Sequence, residues 1–188
     1  MDAVFLALKR VFSQSPWAYL SWPAVGMVIG TFFRYLLGRH IEWFGIQPRR
    51  GHGLLGILTA PFVHDNFSHL LANLPPFLVL GGLVLRHGSQ IFLETATVLL
   101  ALSGALLWIF GRKGSHVGMS GIIFGFLGYL LGLAYFSKEL WDLLIAVVVL
   151  LVYGGMLAGM KPARNSTSWE GHLLGFVAGL IKIWFEHR

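Results

Sequence analysis

Stretches of about twenty residues with hardly a charge among them recur along this chain, broken by short polar or glycine-containing segments, and that length spans the hydrocarbon core of a bilayer. Counting them gives six candidate spans: residues 17–37, 67–85, 91–110, 118–136, 141–160 and 171–185. Composition agrees, with 56% hydrophobic and only 12% charged residues, where an ordinary soluble domain is about a quarter charged. A soluble fold is thereby excluded, and the membrane becomes the solvent against which every polar residue is judged.

Most connections are short. The exception is residues 38–66, in which Trp43, Phe44, Leu54, Leu55, Ile57 and Leu58 alternate with Arg39, His40, Glu42, Arg49, Arg50 and His52. These apolar clusters are too short to span, so the segment is expected to form interfacial helices partly sunk in the headgroups. No internal repeat or low-complexity tract is visible. The expected fold is an all-α membrane protein with one bundle of six transmembrane helices over residues 17–188. Residues 1–16, with Lys9 and Arg10, resemble the start of a signal peptide but meet no small-residue cleavage site, and read as a retained N-terminal cytoplasmic lead-in.

The formal charge of +6 comes from 14 Lys and Arg scattered singly or in pairs at the ends of apolar runs. Pairs such as Arg49-Arg50 and Arg112-Lys113 make no phosphate-tracking stripe, so nucleic acid is not an expected partner. With no cysteine in the chain, disulfides, thiolate zinc sites and cysteine nucleophiles are all excluded. An N-inside layout places Lys9, Arg10, Arg86, Lys138, Lys182 and Arg188 on the cytoplasmic side. It leaves Arg34, Arg39, Arg49, Arg50, Arg112, Lys113, Lys161 and Arg164 outside, so the positive-inside tendency does not choose the orientation.

Polar groups within spans are costly and tend to be functional, and here they gather at helix starts. His69 and Asn73 open the second span, Ser120 the fourth and His172 the sixth. Even-numbered spans all begin on the same side, so all four residues fall near one membrane face whichever way the chain is inserted. Gly118-Met119-Ser120-Gly121 leads into a helix carrying Gly125, Gly128 and Gly132; Gly171-His172 is followed by Gly175 and Gly179. Small residues at this spacing let helix backbones approach closely. By itself that is a packing device, and a serine within it usually bonds a backbone carbonyl. The lone histidine would likewise read as an interfacial residue bonded to water.

Brought together, the two side chains allow different chemistry. A neutral imidazole can take the serine proton at pH 7, without which the hydroxyl is inert. Glu170 lies two residues from His172 and points to another face, so the residues suggest a dyad and not a triad. His69 and Asn73, four apart, share a helix face. With the N–H groups at the start of the fourth span they form a donor set suited to a tetrahedral oxyanion. The alternative is that His64, His69 and Asn73 wet the start of the helix or brace the preceding loop, and bracing is the expected role of His64.

Gly118-Met119-Ser120-Gly121 with Gly171-His172, preceded by His64, His69 and Asn73, resembles the rhomboid family of intramembrane serine proteases over about Arg50 to Leu180. The resemblance implies Ser120 as nucleophile and His172 as general base, with His69, Asn73 and the Ser120 backbone N–H as the oxyanion hole. It implies cleavage of single-pass transmembrane proteins near the outer face of a bacterial plasma (inner) membrane, with lipid as surroundings and no cofactor or metal. The fifth span and the loop Lys161 to Trp169 would act as gate and cap. Two departures stand out: Leu85 occupies a position where many members carry glutamate, and Arg49-Arg50 stands where a Trp-Arg pair is common.

Other classes fit less well. A channel needs polar lining throughout, yet the middles of the third and fifth spans are apolar. A membrane metalloprotease lacks His-Glu-x-x-His. A catalytically inactive, rhomboid-like binder of membrane helices would share every packing feature and differ only in chemistry.

Overall fold

The computed structural model describes residues 15–162 and 168–188, apart from the side chain of Arg39. The lead-in at residues 1–16 and the cap loop therefore fall largely outside the described residues, as does Arg164. Seven α-helices are present among the described residues: α1 (Ala18–Leu37), α2 (Gly56–Thr59), α3 (Phe67–Leu85), α4 (Ser89–Phe110), α5 (Ser120–Ser137), α6 (Leu140–Tyr153) and α7 (Trp169–Glu186). Only one isolated β-bridge, Ile46 to His116, interrupts this helical content among them.

Among the described residues five segments are long and apolar enough to cross a membrane: α1, α3, α4, α5, and α6 with its continuation to Met160. The sixth expected span is helical as α7, but Glu170, Lys182 and Glu186 make it more polar than the others. The bounds of α3 coincide with those expected from the apolar run. Those of α5 do not, because Gly118 lies outside the helix at φ 109° with its N–H donating to the Ala60 carbonyl. Helix α6 also ends early. From Gly154 the chain tightens into a 3₁₀ segment, Gly154–Met160, starting at a Gly-Gly pair whose low helix propensity favours leaving the α form.

Helix α5 is the axis of the molecule, buried from Ile122 to Ala134 except at the half-buried Leu131. Its glycines meet those of α7 as the four-residue spacing predicts. A Cβ on Gly175 would fall on the Gly121 carbonyl oxygen, one on Gly179 on the Gly125 carbonyl, and one on Gly128 on the Phe176 carbonyl. The two helices thus touch backbone to backbone. Around this pair Leu80, Val84, Phe92, Leu99, Phe126 and Ile183 close one apolar core.

Residues 38–66 form short helical pieces, Gly38–Phe44, Gly51–Leu54, α2 and Ala60–Phe62. Trp43, Leu55 and Leu58 face outward from them. The segment is tied to the α4–α5 connection by paired backbone hydrogen bonds between Ile46 and His116, each 2.9 Å, and by the Ser115 hydroxyl donating to the Glu42 carbonyl at 2.8 Å. The two departures from the family pattern have structural answers. Arg49 braces the segment by donating to the Ile109 carbonyl at 2.8 Å, and Arg50 accepts Trp108 Nε1–H on its own carbonyl at 2.9 Å. Leu85 is buried among apolar neighbours, and the next residue, Arg86, makes the polar contact at this end, 2.9 Å to Asp142 on α6.

Candidate active site

The starts of α3, α5 and α7 converge on one cavity of about 770 Å³ lined by His69, Asn73, Ser120 and His172. Ser120 is the first residue of α5 and His172 the fourth of α7. The glycine contacts described above allow two such short side chains to face one space. Among the described residues the Ser120 hydroxyl has no hydrogen-bond partner, so serine and histidine share the cavity without bonding to each other. Catalytic hydrogen bonds are commonly loose before substrate binds and tighten in the complex.

His172 is held on two sides. Its ring stacks on Phe124 with centroids 4.2 Å apart and planes 7° from parallel, and its Nδ1 lies 3.0 Å from the carbonyl oxygen of Gly159. Glu170 is turned away, 3.2 Å from Arg112, which agrees with a histidine that has no carboxylate partner. Beside this ion pair His116 donates from Nε2 to the Arg112 carbonyl at 2.9 Å, leaving Nδ1 to accept from the Ser168 hydroxyl at 2.7 Å. Ser168 caps α7 by accepting the Gly171 N–H at 3.3 Å. The connection before Ser120 is thereby fastened to the helix start that carries His172.

On the opposite wall, Asn73 is buried and donates one amide N–H to the carbonyl of His69 at 2.8 Å, which leaves its second N–H unused. The His69 ring lies against Gly118, where a Cβ would come within 2.8 Å of its Cε1. Gly118 is therefore required twice, by its positive φ and by the ring beside it.

His64 braces, as expected, through contacts that the sequence does not reveal. The Thr31 hydroxyl donates to the Met27 carbonyl at 2.7 Å, so its oxygen accepts from His64 Nδ1–H at 3.2 Å. The remaining lone pair, on Nε2, accepts the Met119 N–H at 3.5 Å. A chain of hydrogen bonds thus runs from α1 to the residue before Ser120. Burial, assisted by neighbouring His69, pushes His64 down to about 3, so it stays neutral as this chain of bonds requires. Among the described residues no three His, Cys, Asp or Glu side chains are grouped as ligands for a metal ion.

Comparison with known proteins gives a match to the Rhomboid domain over residues 51–188. An uncharacterized protein of Mycobacterium tuberculosis is 38% identical over 178 residues, covering 85% of this chain and 74% of its own. The rhomboid protease GlpG of Haemophilus influenzae is 29% identical over 127 residues, 66% of this chain and 65% of that protein. RHOMBOID-like protein 1 of Arabidopsis thaliana is 23% identical over 176 residues, 78% of this chain and 44% of the plant protein.

Proposed function

The chain belongs to the rhomboid family, and from that premise we propose that it is an intramembrane serine endopeptidase in which Ser120 and His172 form the catalytic dyad. The observation that carries this reading is the convergence of three helix starts, with His69, Asn73, Ser120 and His172, on one cavity. Ser120 Oγ attacks the carbonyl carbon of a peptide bond while its proton passes to His172 Nε2. The oxyanion is met by His69, Asn73 and the Ser120 N–H at the positive end of α5. Collapse expels the amine, which takes the proton from His172. Water then attacks the acyl-enzyme, returning a proton through His172 to Ser120.

Substrates are single-pass transmembrane segments that can unwind locally, because an intact helix hides its carbonyls. Helix α7 serves as the sixth crossing. Its buried Lys182 pairs with the exposed Glu186 of the last turn, whose carboxylate meets headgroups and water. The outward Trp43, Leu55 and Leu58 fit an interfacial segment beside the bundle. The protein is a multi-pass integral membrane protein, and a bacterial plasma membrane with the site facing outward is the location proposed. A cysteine at Ser115 in this cysteine-free chain should react with an impermeant maleimide in intact cells and one at Ser137 should not; the reverse pattern inverts the topology.

The unformed Ser120–His172 hydrogen bond is compatible with both a protease before substrate binds and a second reading, a binder of membrane helices without activity. Fluorophosphonate labelling separates the two. The protease reading expects an adduct on Ser120, lost in Ser120→Ala and His172→Ala with the fold intact, and cleavage of a model transmembrane substrate. Asn73→Ala should retain slow turnover, lower by about 10² to 10³ as for loss of one oxyanion donor. Absence of any adduct from the folded parent selects the binder.

A further inference from the structure

A neutral imidazole carries one N–H and one lone pair, and only the nitrogen with the lone pair can accept a proton. Gly159 O is an acceptor at 3.0 Å from His172 Nδ1, so Nδ1 carries the hydrogen and Nε2 is left as the basic nitrogen. The stack on Phe124 fixes the plane of the ring; within that plane, the carbonyl sets its rotation. Phe124 sits on α5, four residues after Ser120. Gly159 sits on the 3₁₀ continuation of α6. A side chain there would bring Cβ to 3.1 Å from Nδ1, so glycine spares the ring a crowding of a few tenths of an ångström.

The support for that carbonyl is partial, with Met156, Leu157 and Met160 packed against the core from half-buried positions. In α6 only Asp142, Ala146 and Val149 are buried, and in Gly154–Met160 no residue is. The start of α6 is fastened, with Asp142 2.9 Å from Arg86 and 3.6 Å from His87. Its far end meets the base.

We infer that the Gly159 carbonyl is the positioning acceptor for the base, so that the least buried helix of the bundle supplies the partner that orients His172 and its displacement releases the ring. This rests on the reading of His172 as the general base. The test replaces Met160 with its α-hydroxy analogue by nonsense suppression, which turns the Gly159 carbonyl into an ester carbonyl of the same shape and weaker accepting power. Fluorophosphonate labelling of Ser120 should slow about tenfold, the scale on which losing one hydrogen bond is felt, with thermal midpoint unchanged. The ¹⁵N signal of His172, identified by its loss in His172→Gln, should move from a single Nδ1–H form toward a mixture of tautomers. Lactate at position 158 weakens the Leu157 carbonyl instead and should label at the parental rate. Parental labelling and a single tautomer in the first variant would overturn the proposal, as would equal slowing in both. If His172→Ala itself labels at the parental rate, the base assignment fails first.

Discussion

Helices α5 and α6 follow one another across a two-residue connection, Lys138-Glu139, and α5, like α6 with its continuation to Met160, is apolar enough to span a membrane. Helix α5 is buried almost all round, whereas α6 shows Val147, Val148, Leu151 and Val152 to its surroundings. Apolarity therefore has two causes in neighbouring helices. In α5 it serves packing against protein, and in α6 it serves solvation by lipid. Glycine tells them apart: α5 carries Gly121, Gly125, Gly128 and Gly132, and α6 has none before Tyr153. Ser120, the proposed nucleophile, sits on the helix that cannot move without repacking the core. The carbonyl that meets the histidine sits at the end of the other.

Substitutions can break this contrast, and the largest effect belongs to the α5–α7 contact. Gly179→Leu must push the Gly125 carbonyl away, and because backbone has to shift, destabilisation should reach at least the 3 kcal/mol or so at the upper end for overpacking. Unfolding followed in micelles or bicelles should show loss of the folded form. Retention of the parental midpoint would mean that the two helices are not docked through these glycines.

Next in size is His64→Ala, which strands the buried Met119 N–H and removes the partner of Thr31, at a cost of about 1 to 3 kcal/mol. Its pH dependence adds a sign. With His64 near 3 in the fold and about 6.5 when unfolded, the unfolded chain binds the extra proton between these values. The contribution is constant above pH 6.5, and stability falls as pH drops from there toward 3. Unfolding midpoints measured down this range should fall more steeply for the parent than for His64→Ala; equal slopes would show that His64 is not held neutral.

Asp142→Asn should cost less, about 1 kcal/mol or below, because Arg86 is 46% exposed on its side chain and can be hydrated when the pair is lost. The sharper readout is amide exchange, which should rise at the start of α6 and leave α5 unchanged. The smallest effect is expected for Leu151→Ala on the outer face of α6, 81% exposed, where a change within about 0.5 kcal/mol is typical of a surface site. A loss like that of Gly179→Leu would mean that α6 is packed against protein after all.

The apolar runs were legible because a bilayer imposes length and hydropathy directly, and α3 begins and ends where its run does. Gly118 was not recognisable as non-helical, since its conformation is dictated by the Ala60 carbonyl and the His69 ring, both distant in sequence. The shared cavity followed from counting crossings and from the family pattern. Phe124 could have been found too, because four residues past Ser120 is the same face of a helix. The Thr31–His64 bond joins residues 33 apart with no motif between them. Gly159 acts through its backbone, and a carbonyl leaves no mark on the residue letter. Identity alone also hides the difference between the buried and lipid-facing helices, which only their neighbours define.

The backbone contact between α5 and α7 has a genetic consequence. Every amino acid other than glycine has a Cβ, so each coding change at Gly175 or Gly179, including the mildest to alanine, places an atom on the carbonyl of Gly121 or Gly125. These positions have no conservative neighbour in the genetic code, whereas the outer face of α6 can exchange one aliphatic residue for another. A saturation library selected only for folded protein should therefore preserve the glycines of this contact and scramble α6. Under selection for activity these residues, with no side chain and no chemical role, would look as indispensable as Ser120 and His172, and the selection for folding alone is what tells them apart.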